Sequence, residues 1–552
     1  MSISWNAILN SLRNAVPPDP ISSVYVETET YRKFEERAIK ILKGVKEGNF
    51  GLMSIVAPRG YGKTGLIKYF GEKYTDEYFF IYETRCPTSR LGLFRSFINR
   101  LGKKNLTNII TNLFTDPLDA YRTIVDENGH VGVAVALAGL LEKDDNCWIW
   151  LSRGSSRLYR LKKSGLTMQR NIRENEAIFA MKTITSLIGR IKPVIYALDE
   201  VESAYRDIKG TRQEESFLTM WVDIINEAPS YLFLLLSFTR QVYNALFESM
   251  EKAGSIAEST GAKRRIESAY YSLEAPNLNE FRRMFEKSVL IPIENAYGVK
   301  IDRKRLESIW NDVEKCLKKT REPTPHDLIR CSLTLLETAA MKLKGIDDDA
   351  KKLEKIGERF YELYSGPMLG VKFQEAFDKF LKQLDAVESV YREVSARVEV
   401  AKLREYMQQI GLSISKAEES VDFQFNFINR TIYAEVCITK RGPASLPLNK
   451  VIALCAKVLY NPNTYGIFIV HGFNRFTLKH GAWEMFTYNQ DLIKRVFVIN
   501  LDRSQCARLL GLLDMKDDLS RFAKMLDTMI GLTSYLKQLI EGKLLLPQEW
   551  GA

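Results

Sequence analysis

Histidine and patterned cysteine are what this sequence has least of. Four histidines are scattered over 552 residues, and the seven cysteines, at 86, 147, 316, 331, 437, 455 and 506, form no C-x-x-C pair. The first scarcity argues against a His-rich metal centre. The second excludes a regular disulfide framework and fits reduced thiols in a cytosol. Long apolar runs are missing too: Val131–Leu141 and Tyr231–Phe238 are the longest, well short of the roughly 20 residues that cross a bilayer. No transmembrane helix and no membrane association are expected. Residues 1–20 scatter Trp5, Asn6 and Arg13 among apolar residues, without the basic-then-apolar layout of a secretion signal, so a cytoplasmic protein is expected. Internal repeats and low-complexity tracts are also absent. What remains, 45% hydrophobic against 27% charged residues, is the balance of a globular chain of about three domains.

A formal charge of +11, from 79 basic and 68 acidic side chains, permits a polyanionic partner without requiring one. Its distribution says more. Arg153, Arg157, Arg160, Lys162, Lys163, Arg170 and Arg173 follow one another with no acidic residue between them, beside Trp148, Trp150 and Tyr159. Such a stretch suits phosphate neutralisation and base stacking; a solvated loop with its counter-charges elsewhere is the alternative.

Apolar runs at Leu52–Val56, Val194–Leu198 and Tyr231–Leu236 are separated by helical patterns, which predicts a parallel sheet covered on both faces. From about Ala275 to Leu363 helical spacing dominates, and Ser365-Gly366-Pro367 punctuates the chain. Beyond it Phe373, Phe377, Phe380, Leu384, Val387, Tyr391, Val394 and Val398 recur at spacings near four and three, which predicts one long helix. Strands are then expected at Val421–Phe427 and Ile432–Thr439, a helix at Leu448–Tyr460, and strands near Tyr465–Val470 and Arg495–Leu501.

The first apolar run leads into Ala57-Pro58-Arg59-Gly60-Tyr61-Gly62-Lys63-Thr64-Gly65. This is the P-loop pattern G-x-x-x-x-G-K-S/T with Ala57 in place of the first glycine. Gly60 and Gly62 let the backbone curl so that its N–H groups face a phosphate, and the following helix adds its positive end. Lys63 suits the β- and γ-phosphates of ATP, and the Thr64 hydroxyl suits Mg²⁺. Val194–Leu198 ends in Asp199-Glu200, a Walker B pattern in which Asp199 holds Mg²⁺ and Glu200 polarises the attacking water.

With these motifs the chain resembles the AAA+ superfamily, particularly archaeal ATPases similar to origin-recognition proteins, over roughly residues 25–365. It is also similar, more weakly, to the ATP-binding proteins of BREX-type phage-defence operons, through Trp150-Leu151-Ser152-Arg153-Gly154. The AAA+ resemblance implies a polar sensor at the end of the strand after Walker B, Ser237 or Thr239. It also implies an arginine finger before a helical lid, Arg264 or Arg265, with a solvated basic turn as the alternative. A lid arginine is expected in the setting Thr324-Pro325-His326-Asp327, where His326 stands in the arginine's place and Arg330 follows a turn later.

In the C-terminal part, a two-residue turn at Asn429-Arg430 would set Asp422 opposite Cys437 and Gln424 opposite Glu435. Phe423, Phe425, Phe427, Ile432, Ala434 and Val436 then share the opposite, core-facing side. An acidic pair on such a hairpin, followed by a helix and a strand, resembles the PD-(D/E)xK nuclease fold, which implies metal binding by Asp422 and Glu435. Cys437 occupies the place of that family's lysine, and Lys440 falls on the wrong face. Lys450 or Lys457 from the crossover helix is the substitute, and Glu393 or Glu399 a third carboxylate. Catalysis and mere binding both remain open for this domain.

Together these readings predict an α/β protein: a P-loop parallel-sheet ATPase core (1–274), a helical lid (275–365) and a restriction-endonuclease-like α/β domain (366–552). The expected function is Mg²⁺-dependent, ATP-driven assembly on DNA, as a homo-oligomer or ATP-dependent assembly. An ATP-regulated DNA nuclease and a scaffold ATPase with protein partners are the alternatives.

Overall fold

The computed structural model describes all residues except 1–4, 14–16, 19, 85, 155–158, 169–170, 212, 253–261, 365–366, 410–419, 439–445, 472–491, 493–494 and 542–552. The chain divides into two compact units, residues 27–276 and residues 1–26 with 277–552.

The unit 27–276 is built on β1 (Gly51–Val56), β2 (Phe79–Glu83), a small antiparallel hairpin of β3 (Tyr159–Arg160) and β4 (Thr167–Met168), then β5 (Val194–Leu198), β6 (Leu232–Phe238) and β7 (Tyr270–Ser272). Five of these form one sheet in the order β2-β5-β6-β1-β7, every neighbouring pair parallel. β5 and β6 are buried at every position, as continuous apolar strands covered on both faces must be. Between β2 and β5 the chain inserts helices Arg90–Leu101, Lys103–Leu113, Pro117–Asp126, Val131–Leu141 and Asp145–Ser152, the hairpin, and helix Ala177–Gly189. Their apolar faces join the sheet in one core. Trp150, read from the sequence as a stacking residue, belongs to that core at 2% exposure. Its ring lies where a β-carbon on Gly132 would approach it to 2.8 Å. Arg160, Lys162, Lys163 and Arg173 are exposed; Arg157 and Arg170 lie outside the described residues.

In the other unit, helices Arg303–Lys318, Pro325–Leu343 and Asp347–Leu363 bear out the expected helical stretch. The long helix predicted over 373–398 is corrected. The chain forms helix Pro367–Leu381, strand β8 (Val387–Ser395) and helix Arg397–Gln409. Tyr391 and Val398, counted in the apolar seam of the predicted helix, are 57% and 64% exposed, while on β8 Val387 pairs with Phe427 and Val390 with Phe425 across a bulge. With β9 (Ser420–Phe427), β10 (Arg430–Ile438), β11 (Thr464–His471) and β12 (Val496–Asn500) it makes a sheet in the order β12-β11-β10-β9-β8. β8, β9 and β10 run antiparallel, while β10, β11 and β12 are parallel. Helix Leu448–Tyr460 makes the crossover that the parallel β10–β11 pair requires.

The expectation of reduced thiols is also corrected: Cys316 and Cys331 form a disulfide. The turn between two consecutive helices brings their Cα atoms to 6.3 Å, a proximity that spacing in the sequence does not reveal. The five cysteines 86, 147, 437, 455 and 506 are buried and outside any disulfide. Thiol titration of unfolded protein should therefore find five groups without reductant and seven after reduction. Seven in both conditions would contradict the pairing.

Candidate functional site

The loop after β1 forms because two of its residues take backbone angles that only glycine adopts at no steric cost. Gly60 has φ +83° and Gly62 φ +82°, and Gly62 caps helix Lys63–Lys73 directly. Ala57 needs no such freedom. It is buried beside β6, its N–H donating to the Phe238 carbonyl at 3.2 Å, and this explains why alanine serves in the first glycine's place. Tyr61 is half-buried on the loop and Gly65 is buried in the first helical turn.

Lys63 is 8% exposed, and its ammonium donates to the Ala57 and Pro58 carbonyls at 3.0 and 3.2 Å. Burial pulls its proton affinity below the ordinary lysine range. The Thr64 hydroxyl donates to Asp199 Oδ2 at 2.5 Å, and the Tyr82 hydroxyl donates to the same oxygen at 2.9 Å. Asp199 Oδ1 accepts from the Glu200 amide at 2.9 Å. Glu200 itself has φ +48°, an uncommon backbone state for a residue with a β-carbon, of a kind that clusters at functional sites. A further support is Glu83, at the end of β2, whose carboxylate takes two bonds of 3.0 Å from Arg100 and whose carbonyl accepts from the Asp199 amide at 2.8 Å.

The structure thus brings together Lys63, Thr64, Asp199 and Glu200. Ser237 is wholly buried on β6, its hydroxyl without a partner among the described residues, and Thr239 follows at 8% exposure. Arg264 and Arg265 lie on helix Ala262–Ser268. Arg264 is exposed, whereas the Arg265 guanidinium donates to the Ile225 carbonyl at 2.7 Å. Arg330 belongs to the other compact unit, exposed and 3.8 Å from Asp327. Tyr82 and Glu202 went unrecognised in the sequence. Tyr82 is 117 residues from Asp199, and Glu202, 5% exposed, reads as an ordinary helix-start acid. Thr64 and Asp199 supply hard oxygen donors of the kind Mg²⁺ takes. The glycine-lined loop, whose lysine hydrogen-bonds two neutral carbonyls, fits a phosphate chain.

The second cluster lies on the C-terminal sheet. The hairpin turn is Ile428-Asn429, with φ +48° and +57°, not Asn429-Arg430. Arg430 pairs with Phe427 and Ala434 with Phe423, which brings Asp422 rather than Gln424 level with Glu435. A slip of two residues preserves side-chain parity, so the facial assignment holds: Phe423, Phe425, Phe427, Ile432, Ala434 and Val436 enter the core. On the opposite side Lys450 donates to both Asp422 oxygens at 3.0 Å and to Glu435 Oε2 at 2.8 Å. The Val436 amide donates to Asp422 at 2.8 Å. Glu435 is wholly buried, and its Oε1 has no hydrogen-bond partner among the described residues. Burial, reinforced by Asp422, pushes its carboxyl well above the carboxylate range. Burial opposes the Lys450 ammonium, but Glu435 and Asp422 outweigh it and raise its proton affinity. Lys457 instead pairs with Glu399 at 3.1 Å. Glu393 is exposed on β8, and Lys440 lies outside the described residues.

No protein-family model matches the chain, and no curated protein matches it. Among solved structures it is similar to the Aeropyrum pernix ORC1 protein in complex with DNA, at 12% identity over 71% of this chain and 80% of that one, with a TM-score of 0.29. A likeness that loose carries no argument.

Removing Lys450 leaves buried Glu435 and half-buried Asp422 without their counter-charge. Lys450→Ala should cost roughly 3 kcal/mol of unfolding free energy near neutral pH. The deficit should shrink as pH falls toward the ordinary glutamate range, where protonation of Glu435, already favoured by burial, removes the charge. Urea denaturation from pH 5 to 8 checks this; a pH-independent deficit would contradict it.

Proposed function

We propose that the chain is a Mg²⁺-dependent P-loop ATPase of AAA+ type that uses ATP to control its assembly on DNA. The observation that carries this reading is the convergence of Lys63, Thr64, Asp199 and Glu200 around one glycine-turned loop. Bound Mg²⁺ would neutralise phosphate charge. For the chain's own part, the backbone of Gly60, Tyr61, Gly62 and Gly65 cradles phosphate, and Lys63 exchanges its carbonyl partners for phosphate oxygens. Thr64 and Asp199 serve as metal ligands, Glu200 orients the attacking water, and Ser237 senses the far end of the phosphate chain. Arg264 is the better finger candidate, since Arg265 is engaged with Ile225, and a finger implies a homo-oligomer. Arg330 belongs to the helical lid, within a three-part organisation of core 1–274, lid 275–365 and C-terminal domain 366–552, although residues 1–26 belong to the same compact unit as 277–552. Exposed Arg160, Lys162 and Lys163 support a DNA partner. Protein partners and a cytoplasmic location complete the reading; no described helix is long and apolar enough to cross a membrane.

A second activity is favoured by one specific observation, Lys450 set between Asp422 and Glu435. An acidic pair with a lysine from the crossover helix, on a sheet of three antiparallel strands continued by parallel ones, supports a nuclease-like domain of PD-(D/E)xK type. The two carboxylates would hold a divalent cation and Lys450 would assist the attacking water.

Lys63→Ala should lose nucleotide binding, whereas Glu200→Gln should bind ATP and hydrolyse it at least a hundredfold more slowly. Equal turnover in wild type and Glu200→Gln would overturn the ATPase assignment. In the same preparations, Mg²⁺- or Mn²⁺-dependent DNA cleavage that disappears in Asp422→Ala would establish the second activity. Binding without cleavage would leave the C-terminal domain a DNA-binding module.

A further inference from the structure

The three donors on Asp199 are not equivalent. Thr64 and Tyr82 donate to Oδ2 at 2.5 and 2.9 Å, and the Glu200 amide donates to Oδ1 at 2.9 Å. In the nucleotide-site reading the Thr64 hydroxyl is recruited as a metal ligand, which leaves the Tyr82 hydroxyl on Oδ2 and the amide on Oδ1. A carboxylate held by one donor on each oxygen cannot turn about its Cβ–Cγ bond without breaking both bonds.

Packing fixes the phenol from two sides. Tyr82 pairs with Ala197 across β2 and β5, and the ladder continues through the bond from the Asp199 amide to the Glu83 carbonyl. Asp199 therefore shares a face of the sheet with Ala197 and Tyr82. The Tyr82 side chain is buried, its ring is stacked with Phe80 at 6.3 Å between centroids, and the Lys68 ammonium stands 5.4 Å from its centroid. Thr64, Lys68 and Gly71 follow one another along one face of helix Lys63–Lys73. A β-carbon on Gly71 would come within 2.2 Å of the Phe80 ring, so that face of the loop's own helix lies directly on Phe80 and Tyr82. A buried tyrosine hydroxyl normally takes a polar partner; here the partner is the carboxylate at which the two motifs meet.

We propose that Tyr82 is a positioning residue of the nucleotide site: its hydroxyl keeps the Asp199 carboxylate aimed when Thr64 turns from Asp199 to the metal. The proposal rests on the nucleotide-site reading above and adds to it a residue that neither motif contains. Without the hydroxyl, Oδ2 keeps neither of its two side-chain donors once Thr64 has turned away, and the carboxylate can swing out of place. The loss falls on the metal-dependent part of ATP binding and spares the phosphate grip of the loop and Lys63. Donors that orient a metal ligand from behind typically carry roughly ten- to a hundredfold in metal affinity.

The test is calorimetric titration of the full-length chain with ATP in EDTA and with Mn·ATP, in wild type, Tyr82→Phe, Asp199→Asn and the double variant. Tyr82→Phe should bind ATP in EDTA as wild type does and Mn·ATP roughly tenfold more weakly, with a melting temperature close to that of wild type. In the Asp199→Asn background the same substitution should change Mn·ATP affinity little, because the group through which it acts is gone. Unchanged Mn·ATP affinity in Tyr82→Phe would overturn the proposal. So would an equal loss in both titrations, an undiminished loss in the Asp199→Asn background, or a melting temperature far below wild type, each of which makes the hydroxyl a purely structural group. A wild-type chain that binds ATP no better with Mn²⁺ than in EDTA would overturn the metal-site reading, and the role of Tyr82 with it. One that binds ATP in neither condition would overturn the nucleotide-site reading itself.

Discussion

The hydrogen bond from Thr64 to Asp199 is the contact on which the account depends. Thr64 follows β1 and Asp199 ends β5, and β6 lies between those two strands. The bond therefore spans a strand of the sheet, and it forms only if the order β5-β6-β1 is right and the glycine turn delivers the helix start to the right place. Tyr82, at the end of β2, reaches the same carboxylate oxygen, and Glu83 holds the Asp199 backbone. Residues from the ends of three strands of one sheet, β1, β2 and β5, thus converge on Asp199, with β6 between two of them. Because β5 and β6 are buried throughout, there is little freedom for that convergence to drift. Groups placed in advance of ligand binding need little reorganisation when the ligand arrives.

Both clusters follow the same electrostatic logic. In the loop, buried Lys63 is sustained by Glu202, Asp199 and Glu200; on the C-terminal sheet, Lys450 is sustained by Glu435 and Asp422. A buried ion group of this kind contributes little net stability, because desolvation offsets most of the attraction. Such groups instead keep charged side chains in an apolar setting where a further charged ligand can rearrange them. Ordinary surface pairs such as Lys33–Glu29, both more than half exposed, have no such capacity. The two clusters lie in different compact units.

The parts legible in the sequence were those whose physics is local. The glycine turn, the strand that precedes it and the Asp199-Glu200 strand end follow from residue type and spacing, as does helix Leu448–Tyr460. Facial assignment on the β9–β10 hairpin also survived, because strand parity is insensitive to a slip of two. The turn itself was misread because Ile428, a β-branched residue, adopts positive φ there. The strand β8 was hidden because Tyr391 and Val398, apolar in type and spaced as on a helix, are exposed and belong to no common buried face. Trp150 looked available for stacking, but the inserted helices bury it. The groups that went unseen, Tyr82 and Glu202 in the loop site and the Cys316–Cys331 pairing, depend on contacts that the sequence does not advertise. Lys450 was legible only as one of two candidates, because helical phase places both Lys450 and Lys457 toward the sheet; only the three-dimensional register decides between them.

A crystal structure of the full-length Glu200→Gln protein with ATP and Mg²⁺ tests the central claim most directly. The account predicts that Lys63 leaves the Ala57 and Pro58 carbonyls for phosphate oxygens, and that the Thr64 hydroxyl leaves Asp199 for the metal while Tyr82 stays. ATP bound elsewhere, or bound with Lys63 and Thr64 still on their present partners, would contradict it.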